Sequence, residues 1–413
     1  MESIENILKV KLGELKTQGA YRHFLEVNKS AQHFPNFYYT DEQGHPHKAV
    51  NWCSNDYLGQ SSNEEAISKL SFTAHRSGVG SGGTRNISGT TIHHRELEIG
   101  LSQWHKKEAA LLLNGAYQAN VTTLQTLGRH IPDLIFLSDE RNHASLIEGM
   151  RSIGNRKIVF RHNDVNHLEE CLRQIPIDQP KIIVFESVYS MSGNLSPIRE
   201  FVRLAKKFGA LTYVDEVHAI GLYGATGAGI SEQENVQQEI DIINGTLSKA
   251  IGVFGGYITA SRTLIDFIRS FGSGFIFTTS LPPAICAAAT KSIQQIQSQP
   301  GLRSALRDNV NLLRQVLSER KVPFLSNQTH ITVVPVGDAR RCRYLASELL
   351  KLGVYLQPIN YPTVPKGEEC LRVIVTTRHT NEHIQYLALC LNKVLYGNHH
   401  THGPQLQAFA ASN

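Results

Sequence analysis

Long apolar runs are missing from this 413-residue chain: none approaches the ~20 residues that a membrane-spanning helix needs. Cysteine is sparse. The six (Cys53, Cys171, Cys286, Cys342, Cys370 and Cys390) show no C-x-x-C spacing, which argues against a zinc site or a disulfide framework and for reduced, mostly buried thiols. Charge of one sign is not concentrated either. The net charge of +5 is mild for this length, and no basic run interleaves with aromatics, so nucleic acid is not an expected partner. The opening Met1–Leu8 is acidic and amphipathic, with neither the apolar core of a signal peptide nor the Arg/Ser character of a transit peptide. The expectation is a cytoplasmic protein with no membrane partner. No internal repeat is found.

What is present is an ordinary globular composition, 41% hydrophobic and 19% charged, in a chain too long for one small core. Residues 3–18 have helical spacing. Apolar runs then recur at Leu134–Leu137, Ile158–Phe160, Ile182–Phe185, Leu211–Val214, Ile242–Ile243 and Tyr257–Thr259, and most are separated by helical patterns (His94–Trp104, Ala144–Ser152, Val165–Gln174, Ile198–Phe208). Such alternation predicts an α/β fold, a mostly parallel sheet covered by helices. The character changes near Gln299–Gly301, after the helical stretch Pro282–Gln297, and a smaller α+β C-terminal domain follows. Its strands are predicted at Ile331–Val336 and Leu371–Thr376, with a closing helix near Asn381–Leu395. The expected organisation is an N-terminal helix and arm (1–55), a large domain (56–297), a small domain (298–396) and a disordered tail (397–413). The tail histidines His399, His400 and His402 read as solvated, and no metal site is expected.

Two segments carry the strongest chemical signal. Asp215-Glu216-Val217-His218 ends one apolar run, and Gly245–Ala250 places Lys249 34 residues after Asp215. An aspartate, a histidine and a lysine so arranged suit an aldehyde cofactor, pyridoxal 5′-phosphate. The lysine can form a Schiff base, the aspartate can keep the pyridine nitrogen protonated, and the histidine can hydrogen-bond the phenolic oxygen. The glycine-dense Gly78–Thr90 precedes a helix with no strand feeding it, so it reads as a loop whose backbone approaches a ligand rather than a nucleotide fingerprint. Asn114-Gly115-Ala116-Tyr117 opens a helix whose free amides suit the cofactor phosphate. Ser138 to Ser145 follows a strand at the end where open α/β sheets bind ligands, and His143 there can stack on the pyridine ring. Glu186 and Ser190 end another such strand.

The order Ser54–Gly59, the glycine loop, Asn142-His143-Ala144-Ser145, Asp215–His218 and Thr246-x-x-Lys249 resembles the α-oxoamine synthases, within the fold type I pyridoxal-phosphate enzymes. The likeness runs from about Tyr21 to Leu395. Gly82–Thr90, Gly274–Pro283 and Ile359–Glu368 narrow it to the 5-aminolevulinate synthase branch. The resemblance implies a pyridoxal-phosphate acyltransferase joining glycine to succinyl-CoA. It makes Lys249 the Schiff-base lysine, Asp215 the partner of the ring nitrogen, His218 and Ser190 the phenolic-oxygen contacts, and His143 the stacking ring. Thr246 would bind the phosphate, helped by Thr278 of a neighbouring subunit in a homodimer with a shared site. Asn55 and Arg372 would hold the glycine carboxylate. Arg22, Thr84, Asn86 and Ser138 would frame the succinyl-CoA end, under a closing loop that includes Thr363.

Departures from the family pattern include Ser192 in place of aspartate, Ser248 in place of glycine before the lysine, Asn114-Gly115 in place of small polar residues and Val375–Arg378 in place of a proline-containing turn. None removes a residue with a direct chemical role. Two other readings stay open: a sister synthase using another amino acid or acyl-CoA, and a non-catalytic partner subunit. Thr84 and Arg22 argue against the first, and Lys249 against the second.

Overall fold

The computed structural model describes residues 3–151 and 154–397. By its internal contacts the chain divides into two compact units, Leu58–Ser190 with Asn194–Ser304, and a second formed by the segment up to Tyr57, Met191–Gly193 and the segment from Ala305. The expectation for the tail concerns residues that, Gly397 apart, lie outside those described.

The larger unit is built on seven strands: β1 (Ala109–Leu113), β2 (Ile135–Asp139), β3 (Lys157–Phe160), β4 (Lys181–Glu186), β5 (Leu211–Asp215), β6 (Ile242–Thr246) and β7 (Gly256–Ala260). They lie in the order β1-β7-β6-β5-β4-β2-β3. The five from β6 to β3 are mutually parallel, and β7 is antiparallel to both β6 and β1. The α/β, mostly parallel sheet read from the sequence is therefore the fold observed.

Burial on both faces explains why the central strands are continuous apolar runs rather than alternating ones. Ile182, Ile183, Val184 and Phe185 are all fully buried. Ile182 and Val184 join a cluster with Leu124, Leu127 and Ile268 from the helices Ala116–His130 and Arg262–Phe271. Phe185 meets Phe201 of the Ile198–Lys207 helix edge to face at 4.9 Å on the alternate register. Each such side chain contributes on the order of 1.5–3 kcal/mol by leaving water. The result is a rigid edge from which the strand-end loops project.

The second unit has its own small sheets. Asn36–Thr40 and Pro46–Asn51 form an antiparallel pair extended by Asn28–Lys29 and by Val354–Tyr355. Ile331–Pro335 and Pro358–Ile359 flank Cys370–Ile374 in the other, with the helices Ala339–Lys351 and Asn381–Tyr396 in the same unit. The helix Ile4–Thr17 is capped by Ser3 and buries none of its residues. Among the described residues no helix is long and apolar enough to cross a membrane.

Candidate active site

Because β2, β4, β5 and β6 are parallel, their carboxyl ends share one edge, the position at which open α/β sheets bind ligands. His143 follows β2, Ser190 follows β4, His218 follows β5 and Lys249 follows β6. The Nζ of Lys249 lies 2.8 Å from Nε2 of His218. Its turn is tied back by the Gly252 amide donating to the Lys249 carbonyl at 2.8 Å.

Asp215 closes β5 in register with Glu186 on β4 and Asn244 on β6. Its buried carboxylate accepts from Asn120 Nδ2 at 2.7 Å, from Asn244 Nδ2 at 3.2 Å and from the Val217 amide at 2.9 Å. These donors hold the carboxylate in one orientation. Glu186 beside it is buried and accepts from the Ser190 amide at 3.2 Å through Oε2. Burial, and next the charge of Asp215, push the Glu186 carboxyl well above its ordinary range.

His143 has an imidazole whose Nδ1 is fixed by Ser145 Oγ at 2.8 Å. Desolvation by the surrounding walls, against the pull of Asp215, lowers its pKa, so the imidazole is neutral near pH 7. The Tyr117 ring stands edge-on to it at 6.2 Å. Tyr117 and Ala116 open the Ala116–His130 helix, whose first turn no side chain caps. Its orphan amides form a ready anion site. Gly256, paired with both Leu113 and Thr246, brings the strand backbone against that helix start. A Cβ at Gly256 would lie 2.2 Å from the Ala116 nitrogen.

Other predicted residues are engaged locally. The Thr246 hydroxyl donates to the Gly255 carbonyl at 3.2 Å and accepts from the Ser248 amide at 3.1 Å. Thr278 donates to Gly274 O at 2.7 Å and accepts from Gln118 Nε2 at 3.1 Å. Thr84 donates to Asn86 Oδ1 at 2.6 Å in the glycine loop, which Arg85 clamps to Glu98 through two bonds of 2.8 and 3.0 Å. Ser138 is buried, donating to its neighbour's carbonyl and accepting from Asn142 Nδ2 at 3.0 Å. In the second unit Arg372 donates to Asn55 Oδ1 at 3.0 Å and to the Tyr57 hydroxyl at 3.3 Å. Arg22 approaches Thr363 Oγ1 at 3.5 Å there, the outer limit of a hydrogen bond.

Comparison with known proteins gives this arrangement a lineage. Residues 47–390 match the family "Aminotransferase class I and II". The 5-aminolevulinate synthase of Rickettsia bellii is 45% identical over 395 residues, covering 95% of this chain and 94% of that one. That of Paracoccus denitrificans is 45% identical over 386 residues, covering 93% and 94%. The chain belongs to the 5-aminolevulinate synthases. A serine palmitoyltransferase from S. paucimobilis, solved with bound pyridoxal phosphate and myriocin, superposes with a TM-score of 0.86 at 26% identity, covering 95% of this synthase and 98% of its own chain.

The synthase's residues fit pyridoxal phosphate on their own geometry. An uncapped helix start suits the phosphate, a carboxylate ringed by donors suits a protonated ring nitrogen, and an open imidazole face suits stacking. Sequence reasoning missed Asn120, Asn244, Tyr57 and Tyr213. The one available signal was a buried-face amide, Asn120, in an otherwise small or apolar helix stripe (Ala119, Thr123, Leu124, Leu127). Among the described residues no cluster of three metal-binding side chains occurs.

Proposed function

We propose that this 5-aminolevulinate synthase uses pyridoxal 5′-phosphate to condense glycine with succinyl-CoA, releasing CoA and carbon dioxide and giving 5-aminolevulinate for tetrapyrrole (haem or porphyrin) or secondary-metabolite supply. The observation that supports it most is Lys249 Nζ within 2.8 Å of His218 Nε2, in a chain 45% identical to named synthases over nearly its full length. When bound, the cofactor supplies an electron sink for the carbanion at the glycine α-carbon.

The chain's residues do the rest. Lys249 Nζ holds the cofactor and then, as a free amine, takes the glycine α-proton. Asp215 keeps the ring nitrogen protonated by accepting its hydrogen. His143 stacks on the ring, and His218 with Ser190 holds the phenolic oxygen. Ala116, Tyr117 and Thr246 would hold the phosphate, joined by Thr278 of a second copy in a homodimer, and Glu186 would complete the cofactor site beside Asp215. Arg372 and Asn55 grip the glycine carboxylate, and orientation there decides which α-bond breaks. Arg22, Thr84, Asn86, Ser138 and Thr363 receive the succinyl-CoA end, with the Arg22 guanidinium facing its carboxylate.

The test is an absorbance spectrum and an aminoketone assay on purified protein with glycine and succinyl-, acetyl- or butyryl-CoA. A visible band that disappears in Lys249→Ala, with product chiefly from succinyl-CoA, is the expected result. Product only from another acyl-CoA would make the chain a sister synthase, and absence of any band would remove the cofactor from the reading.

A further inference from the structure

Asn120 sits in the second turn of the Ala116–His130 helix, 1% exposed, and all the hydrogen-bonding capacity of its NH2 is used. Nδ2 donates one hydrogen to Asp215 Oδ2 at 2.7 Å and the other to Ser145 Oγ at 2.9 Å. Oδ1 accepts from the Tyr213 hydroxyl at 2.8 Å. The amide has one orientation that serves all three contacts, since Asp215 Oδ2 accepts and faces the NH2 while the Tyr213 hydroxyl donates to Oδ1.

Direction then propagates. Ser145 Oγ, accepting from Asn120, turns its own hydrogen to His143 Nδ1 at 2.8 Å. The Ser145 amide points at the same nitrogen at 3.3 Å. Two donors converge on Nδ1, so Nδ1 carries the lone pair and the proton resides on Nε2.

We propose that Asn120 is the positioning residue that couples the two contacts made to the two sides of the cofactor ring system, setting the carboxylate of Asp215 and the tautomer and tilt of His143 through one amide. This rests on the reading of Asp215 and His143 as cofactor-binding residues. Asn120 touches neither substrate nor reacting atoms. It would act by aiming the Asp215 acceptor at the ring nitrogen and by holding the His143 imidazole in the orientation used for stacking.

Isosteric replacement separates this role from simple space filling. In Asn120→Asp the shape is kept, but an oxygen faces Asp215, and the site must take up a proton or repel. In Asn120→Ala the volume is lost and the direction is undefined. Tyr213→Phe removes only the donor that anchors Oδ1, and Leu124→Ala on the same helix lowers stability away from the site. We expect Asn120→Asp to weaken pyridoxal phosphate binding at pH 8 by at least about 10-fold, as much as Asn120→Ala or more, with binding recovering as pH falls. The pH midpoint of the visible band should move by about half a unit or more in both, less in Tyr213→Phe, and not in Leu124→Ala. The kcat should fall about 10- to 100-fold in both Asn120 variants with the glycine KM within about 3-fold. Asn120→Asp with wild-type binding, midpoint and kcat would overturn the proposal. Crystal structures of the cofactor-free proteins separate this failure from failure of the cofactor reading. If wild type takes up no pyridoxal phosphate, that reading falls, and the coupling is judged by whether the Asp215 and His143 side chains turn in Asn120→Ala. Unchanged side chains there would overturn it.

Discussion

Lys249 Nζ and His218 Nε2 stand 2.8 Å apart at the ends of neighbouring parallel strands. A hydrogen bond between them needs one lone pair, so the pair cannot hold a proton on every nitrogen that faces the other. In the proposed mechanism this contact puts His218 beside the amine that would take the glycine α-proton.

Replacing the imidazole in His218→Ala should therefore cost more than a contact. The expected result is about a 10²-fold loss of kcat, in the range of a displaced acid–base partner, with the pH midpoint of the visible band shifted. Steady-state assays and a pH titration of absorbance check this. An unchanged midpoint would mean that His218 does not influence the lysine's proton.

Asp215 faces three donors, the side-chain amides of Asn120 and Asn244 and the Val217 amide. In Asp215→Asn one oxygen becomes an NH2 that must meet a donor or turn away from the ring position. Leaving buried donors unmatched costs about 1–3 kcal/mol, so the variant should be measurably less stable as well as nearly inactive. Urea unfolding of the cofactor-free proteins measures the first effect separately from the second. Equal stability would show that the pocket rearranges at no cost.

β4 and β5 were legible because strands buried on both faces are continuous apolar runs. β1 was not: Ala109-Ala-Leu-Leu-Leu113 directly follows a helix, and its role as a strand depends on antiparallel pairing with β7, a non-local contact. The Asn36–Thr40 and Pro46–Asn51 strands are short and of mixed burial, with Phe37, Ala49 and Val50 buried among polar neighbours, and give no long apolar run to read. At the site, Lys249, Asp215, His218 and His143 stood out because their functional groups are chemically distinctive. Asn120 and Asn244 did not, since an amide's value here lies in its contact with Asp215, a non-local pairing. Ser138 could be placed at the strand end, but not the burial of its hydroxyl beneath Asn142.

Two glycines flanking the start of the Ala116–His130 helix, the proposed phosphate site, should respond in opposite ways. A methyl at Gly256 would come within 2.2 Å of the Ala116 nitrogen and 2.3 Å of the Gly115 carbonyl carbon, both backbone atoms that cannot move alone. Overpacking of this kind costs at least about 1–3 kcal/mol. Gly256→Ala should lower the melting temperature and weaken cofactor binding by displacing the amides of Ala116 and Tyr117. Gly115 itself has extended backbone, φ −173°, and a methyl there meets nothing within 4 Å. Gly115→Ala should keep wild-type stability, so thermal unfolding of the pair decides whether close approach at position 256 is the constraint.

Three buried histidines give the stability a defined pH dependence. Burial lowers His94 to about 4, and His105 and His379 to about 3, from an ordinary 6.5. The unfolded chain binds protons at these sites below about pH 6.5, whereas the folded chain does not until about pH 3–4. Stability from each is fully present above pH 6.5 and is lost as pH falls, at about 1.4 kcal/mol per pH unit within that window. Glu186 and Glu216 work in the opposite sense, because burial raises both and the folded state binds their protons first. The net slope mixes the two kinds of group, so the informative quantity is a difference between variants. His379 accepts from the Thr376 amide at 3.0 Å through Nδ1 and contacts the Asn51 carbonyl at 3.1 Å through Nε2, which fixes it as the neutral Nε2–H tautomer. His379→Gln should be less stable at pH 8, yet between pH 6 and 4.5 its stability should fall less steeply than wild type by about 1.4 kcal/mol per unit. Urea unfolding at four pH values measures that difference, and parallel slopes would show that His379 takes up its proton equally in both states.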